Sequence, residues 1–190
     1  MPAPFFFGYG SLVNTRTHDY GEARAAQLSG WRRAWVHTDL RPVAFLSAVP
    51  CPDSQIDGLI AAVPDADWAA LDDREFAYDR LPANGAVRHD LASDTDIAVY
   101  AVPATSQRQA SQRHPILLSY LDVVIQGYLD VFGPDGVETF VTSTDGWDAP
   151  ILNDRDAPRY PRHQILRADE RDLVDQHLRA LGVDLIAAPA

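Results

Sequence analysis

Two stretches of this 190-residue chain carry residue types that could do chemistry. The first is Phe5-Phe6-Phe7-Gly8-Tyr9-Gly10-Ser11-Leu12, an apolar strand that runs into a glycine-rich turn. A strand needs neither glycine. A loop that brings its own main chain close to a ligand needs both, because no Cβ then stands in the way. Successive N–H groups at such a strand–loop junction can cradle a carboxylate or a developing oxyanion. An ordinary tight turn fits the same residues.

The second stretch is Pro64–Phe76, which holds Glu75 next to its end. Of the 27 acidic residues four are glutamates (Glu22, Glu75, Glu138 and Glu170), which leaves 23 aspartates. Only Glu75 is set among apolar and aromatic neighbours, Phe76, Ala77 and Tyr78. Residues 75–81 alternate and read as a strand, with Glu75 and Ala77 on one side and Phe76 and Tyr78 on the other. A carboxyl walled by aromatics has its pKa raised by desolvation and suits general acid–base work. The plainer alternative pairs Glu75 with Arg74 or Arg80 on a solvated rim.

Other chemistries find less support. Gly8 and Gly10 match the first two glycines of a dinucleotide fingerprint, but Val13 holds the third place and no long helix follows. Ser11 lacks the flanking glycines of a nucleophile elbow. His18, His37, His89, His114, His163 and His177 are scattered, with no pair at i, i+4, so no metal site is expected. Cys51 lies between Pro50 and Pro52 and reads as an incidental loop thiol, with no second cysteine for a disulfide.

The elements that must position these groups read as many short strands followed by helices. Residues 4–10, 25–37 (bent at Gly30), 43–49, 56–63 and 96–102 read as strands, with Cys51–Gln55 as a turn. Residues 86–91 and 96–102 suggest a hairpin. Asp65 is a candidate cap for a short helix with Trp68 and Leu71 on one face. The clearest helix is 114–133, with Pro115 near its start and Gly133 at its end. Residues 137–144 suggest one more strand. Residues 148–164 are proline-rich and aperiodic. An amphipathic helix follows, with Leu173, His177, Leu178 and Leu181 on one stripe and Gly182 after it. This order is not strict strand–helix alternation. It predicts an α+β fold, a small mixed β-barrel with surrounding helices.

Composition narrows the function classes. With 16 basic and 27 acidic residues the formal charge is −11, and every basic residue is an arginine. That argues against nucleic acid and against an anionic membrane surface as partners. No stretch approaches the ~20 apolar residues of a membrane span. The apolar run Phe5–Phe7 is too short for a signal peptide and no charged segment precedes it, so a cytoplasmic location is the default expectation.

Three segments in order resemble the γ-glutamylcyclotransferase-like superfamily. They are Phe7–Leu12 (FGYGSL), Asp57–Leu81 (DGLIAAVPDADWAALDDREFAYDRL) and Ser119–Gly133 (SYLDVVIQGYLDVFG). The resemblance takes in the small cyclotransferases and the ChaC-type glutathione-degrading enzymes, and runs over roughly residues 5–133. It implies one cyclotransferase-like domain over 1–190, with 134–190 a less recognisable C-terminal extension. It implies that Tyr9, Gly10, Ser11 and Leu12 hold a γ-glutamyl group through main-chain amides. It further implies that Glu75 is the general acid/base and that Tyr120 lines the pocket. The implied reaction is cyclisation of a γ-glutamyl amino acid, amine or glutathione to 5-oxoproline, with release of the amine and with no cofactor or metal. The motifs lean toward the ChaC-type side, while the tail departs from it. Asn153, Arg155 and Tyr160 in that tail are candidates for setting the leaving-group preference, or for plain packing. The alternative is a non-catalytic member that binds a small metabolite. The γ-glutamyl compound and the oligomeric state stay open.

Overall fold

A computed structural model of the chain describes residues 3–91, 95–108 and 113–188. In chain order the elements are β1 (Phe5–Gly8), β2 (Arg24–His37), β3 (Ala44–Ala62), α1 (Ala69–Arg74), β4 (Asp79–Pro82), β5 (Val87–Arg88), β6 (Ile97–Ala101), β7 (Ile116–Leu117), α2 (Leu118–Thr142), β8 (Thr144–Asp145), β9 (Ile151–Asn153), α3 (Ala168–Leu181) and β10 (Leu185–Ala187). Seven strands form one mixed sheet in the order β4-β6-β1-β3-β2-β5, with β8 added alongside β2. The sheet curls into a half-barrel, and the three helices make this an α+β fold. A second, small sheet runs β10-β9-β7.

β1 sits at the centre of the large sheet, parallel to β6 and antiparallel to β3. All four of its residues are buried, which is why it reads as an unbroken apolar run. Its partner β6 (Ile-Ala-Val-Tyr-Ala) is buried throughout for the same reason. The core gathers around these strands and the inner face of α2, where Leu121, Val124, Ile125 and Tyr128 are fully buried.

Several elements differ from the sequence reading. Cys51–Gln55 is not a turn between two strands but part of the single long strand β3. The ladder slips there: Ser29 pairs with Gln55 and Trp31 with Pro50, so Gly30 (φ 81°) alone lies opposite Cys51–Ser54. Prolines at 50 and 52 have no N–H to donate, so the bulge falls where the ladder loses least. Residues 86–91 and 96–102 form no hairpin: β5 pairs with β2, whereas β6 pairs with β1 and β4. Residues 137–142 are helical, because α2 kinks at Gly133 (φ 71°) and resumes at Pro134 instead of ending. Of the expected strand only Thr144 is extended, in β8 (Thr144–Asp145). α1 is not capped by Asp65, which lies in the left-handed region (φ 53°); its N-cap position is Trp68, with no side-chain capping bond, and Asp67 Oδ1 just before it accepts from Ala69 N at 3.0 Å.

α3 forms as read, closed by Gly182 in the left-handed region. Val174 and Leu178 are its buried apolar residues, flanked by half-buried Leu173, His177 and Leu181. Among the described residues no helix is long and apolar enough to cross a membrane.

Candidate active site

The turn after β1 is held from three sides. Residues 11–13 make one tight helical turn, with Val13 N donating to Gly10 O at 3.0 Å and Asn14 N to Ser11 O at 3.1 Å. Buried Asn14 donates through Nδ2 to Val123 O and Gln126 Oε1, each at 2.9 Å. Gln126 passes the connection to buried Glu170 at 3.0 Å, so the turn is fastened to both α2 and α3. From the other side the Tyr128 hydroxyl lies 2.9 Å from Tyr9 O, and it accepts from Arg33 Nη1 at 2.9 Å. No main-chain carbonyl among the described residues accepts from the amides of Gly10 or Leu12. Those two donors stay free for a ligand.

Glycine is required here for close approach. A Cβ on residue 10 would stand 2.6 Å from the Tyr120 Oη, and one on Gly58 would stand 2.4 Å from the Gly8 carbonyl oxygen. Tyr120 lies against the Ser11 main chain, and its ring packs edge-on against Trp35 and Tyr160.

Glu75 stands at the C-terminal end of α1, not on a strand. Its N–H closes the last helical bond to Leu71 O at 2.9 Å, and its carbonyl accepts from Tyr78 N at 2.8 Å. β4 begins only at Asp79, so the expected alternation over 75–78 is replaced by a turn. That turn sends Phe76 outward, half exposed beneath the Arg41 guanidinium, while Tyr78 folds in and its hydroxyl donates to Leu46 O at 3.0 Å. Tyr78, not Phe76, therefore walls the carboxyl group.

The Glu75 side chain is 15% exposed and pairs with Arg74 Nε at 3.2 Å. Burial raises its pKa above the ordinary value, against the opposing pull of the Arg74 and Arg162 charges. The Arg74 side chain is 6% exposed, and its other nitrogens donate to Thr17 O and Thr17 Oγ1 at 3.1 Å and to Ser11 Oγ at 3.4 Å. The pair is thus part of the packed wall and not a solvated rim. Burial also raises the pKa values of Tyr78 and Tyr120 well above the usual phenol range, so both face the site as neutral hydroxyls.

Glu75 and the turn share one cavity. An inner niche of about 30 Å³ is lined by Gly8, Tyr9, Gly10, Ser11, Leu12, Glu75, Tyr78 and Tyr120. An outer cavity of about 280 Å³ shares Ser11, Glu75, Tyr78 and Tyr120 with it. The glutamate lies at the junction of the two. All six residues singled out in the sequence (Tyr9, Gly10, Ser11, Leu12, Glu75 and Tyr120) meet here.

Part of the outer wall went unread in the sequence. Arg41, Arg74, Arg159, Pro161 and Arg162 line the outer cavity together with Tyr160, whose hydroxyl donates to Ser11 Oγ at 2.8 Å. Of the three tail candidates, Tyr160 alone reaches this site. Arg155 bridges Asp122 and Asp175 at 2.7 Å each, and Asn153 faces away beside it. Buried Asp154 holds the tail in place by accepting from Ser119 N (2.8 Å), Ser119 Oγ (2.6 Å) and Arg159 N (2.9 Å). Among the described residues no cluster of His, Cys, Asp and Glu could hold a metal ion.

Neither a family model nor a curated protein matches the sequence. The fold has clear counterparts among solved structures. A structure described as a gamma-glutamyl cyclotransferase superposes with a TM-score of 0.58 at 13% identity, over 92% of this chain and 99% of its own. The chain has the gamma-glutamyl cyclotransferase fold. The uncharacterized protein loc79017 from Homo sapiens gives a TM-score of 0.59 at 13% identity, over the same 92% and 99%. YkqA from Bacillus subtilis gives 0.58 at 15% identity, over 73% of this chain and 53% of its own length. At these identities the likeness is one of fold, and the chemistry must be read from the site itself. The cover of 92% exceeds the stretch 5–133 over which the cyclotransferase-like motifs run.

Proposed function

We propose that the chain cyclises a γ-glutamyl compound to 5-oxoproline and releases the amine. The observation that carries this reading is the single cavity shared by Glu75 and the free amides of the Gly8–Leu12 turn.

A γ-glutamyl substrate contains its own nucleophile. Its α-amine attacks the carbonyl carbon of the γ-amide; the new C–N bond closes a five-membered ring, and the old C–N bond breaks. No covalent residue is needed. The protein must bend the substrate so that amine and carbonyl meet, which is worth up to ~7–11 kcal/mol of barrier. The Gly10 and Leu12 amides stabilise the oxygen as it takes on charge; one such donor is worth roughly 3–4 kcal/mol in other enzymes.

Glu75 takes the proton from the substrate ammonium and returns it to the departing nitrogen. An ordinary glutamate near ~4.3 and an α-amine near ~8 differ by roughly 3.5 units, an uphill step of about 5 kcal/mol. Burial of Glu75 narrows that gap. Tyr78 and Tyr120, held neutral, orient the substrate as hydrogen-bonding walls. A purely metabolite-binding role fits less well, because a carboxylate beside an anion cradle opposes binding unless it has a proton to move.

The test is direct. Purified protein, incubated without added metal with γ-glutamyl amino acids, γ-glutamyl amines or glutathione, is expected to release 5-oxoproline, detected by mass. No 5-oxoproline from any of the three classes would reject the reading.

A further inference from the structure

We propose that Arg41, Arg159 and Arg162 form an anion subsite for the departing amine, so that the substrates are γ-glutamyl compounds whose amine carries a carboxylate. This rests on the cyclotransferase reading above and selects among the substrates it leaves open.

The chain carries 27 acidic residues against 16 arginines, and eight of those arginines have a carboxylate within 4.0 Å among the described residues, whereas Arg41, Arg159 and Arg162 are exposed. These three have none within 4.0 Å among the described residues, yet all three line the outer cavity. Arg41 is stacked 4.5 Å over the Phe76 ring. Stacking engages the face of a guanidinium and leaves its N–H edge free to meet a carboxylate side-on. Arg159 is held through its main chain by buried Asp154, which fixes where the residue sits without using its charge. Arg162 lies close enough for its charge to act on Glu75. Arg74, by contrast, is engaged with Glu75, Thr17 and Ser11. Setting that pair aside, Asp73 is the only acid among the described residues of the wall, against three cations.

The direction of the substrate follows from the two cavities. Glu75 marks the scissile bond because it must reach the departing nitrogen. The niche beyond it, at about 30 Å³, takes only the end of the γ-glutamyl portion. The departing group therefore extends into the outer cavity and onto the arginines. A carboxylate there forms charge-assisted hydrogen bonds that a neutral alkyl amine cannot form.

The experiment compares kcat/KM for γ-glutamyl-glycine and γ-glutamyl-ethylamide, which differ in the carboxylate of the departing amine. The wild-type protein is expected to favour the glycine compound at least tenfold, with the preference shrinking as salt rises. In the double variant Arg159→Gln/Arg162→Gln the ratio is expected to fall below threefold. Equal wild-type turnover of both compounds overturns the subsite and leaves the cyclotransferase reading standing. An equal loss on both compounds in the variant overturns it too, because the arginines would then serve the α-carboxylate that both substrates share. Turnover of neither compound by the wild-type protein rejects the underlying reading instead. Should the double variant fail to fold, Arg41→Gln and the wild-type ratio decide, with a ratio below threefold in the wild type being the overturning result.

Discussion

The Tyr160 hydroxyl donates to Ser11 Oγ across 2.8 Å, joining the aperiodic tail to the turn after β1 over 149 positions of sequence. The same Ser11 Oγ lies 3.4 Å from Arg74 Nη2, beside the carboxyl group of Glu75. The serine hydroxyl is thus a fastening point for the site's outer wall, and the proposed work of the turn belongs to its amides.

Ser11→Ala and Tyr160→Phe are therefore expected to weaken the site without abolishing it. Tyr160→Phe removes the one part-buried hydrogen bond to Ser11, and Ser11→Ala removes that bond together with the longer one from Arg74, each worth about 0.5–1.5 kcal/mol. Steady-state kinetics should show kcat/KM lowered roughly three- to tenfold, and the double variant should lose little more than either single one. An inactive but folded Ser11→Ala would give the hydroxyl a chemical role.

Asp154→Ala is expected to cost about 2–4 kcal/mol in urea unfolding, because it strands Ser119 N, Ser119 Oγ and Arg159 N in a buried place. In folded protein KM should rise more than kcat falls, since the loop carrying Tyr160 and Arg162 loses its anchor.

Close packing around Gly10 predicts a rescue. Gly10→Ala sets a methyl group 2.6 Å from the Tyr120 hydroxyl, whose ring is locked between Trp35 and Tyr160. Activity should fall at least a hundredfold. Tyr120→Phe on the Gly10→Ala background removes the clashing oxygen, and some activity should return. If the double variant is as inactive as Gly10→Ala alone, crowding by that hydroxyl is not the cause.

How much of this was legible in the sequence differs from residue to residue. β1 and its turn could be read because an apolar run ending in two glycines has local causes. Glu75 was singled out by its chemistry although its backbone was misread: four residues of alternation look the same in a strand and in a turn leaving a helix. The two prolines in β3 pointed to a break that the long pairing with β2 absorbs. Residues 137–142 carry β-branched side chains, yet they pack as helix because Gly133 lets α2 kink and continue. Of the wall formed by Arg159, Tyr160 and Arg162, only Tyr160 was a candidate, and the two arginines had no readable signal. Its position depends on Asp154 meeting Ser119, a tertiary contact with no periodicity.

The buried pair sets a pH dependence with a definite sign. Glu75 must be ionised to accept a proton, and its pKa is raised above the ordinary 4.5. The acid limb of kcat/KM should therefore lie above that of an exposed glutamate. Arg162→Gln removes a charge that favours ionisation, so it should move the limb to higher pH. For stability the native state holds the proton more tightly than the unfolded chain does. Stability due to this group thus falls as pH rises from 4.5 through the native pKa. Glu75→Gln should accordingly melt no lower than the wild-type protein at pH 7, with its advantage disappearing below pH 4.5. A lower melting temperature at pH 7 would mean that the Arg74 pair outweighs desolvation.

The central claim is that Glu75 moves the proton during cyclisation. It is tested most directly by the single-turnover rate of 5-oxoproline formation in Glu75→Gln, measured beside substrate binding to the same protein. The account predicts a loss of at least a thousandfold in rate with binding retained within about tenfold. A folded variant that turns over at close to the wild-type rate would contradict it.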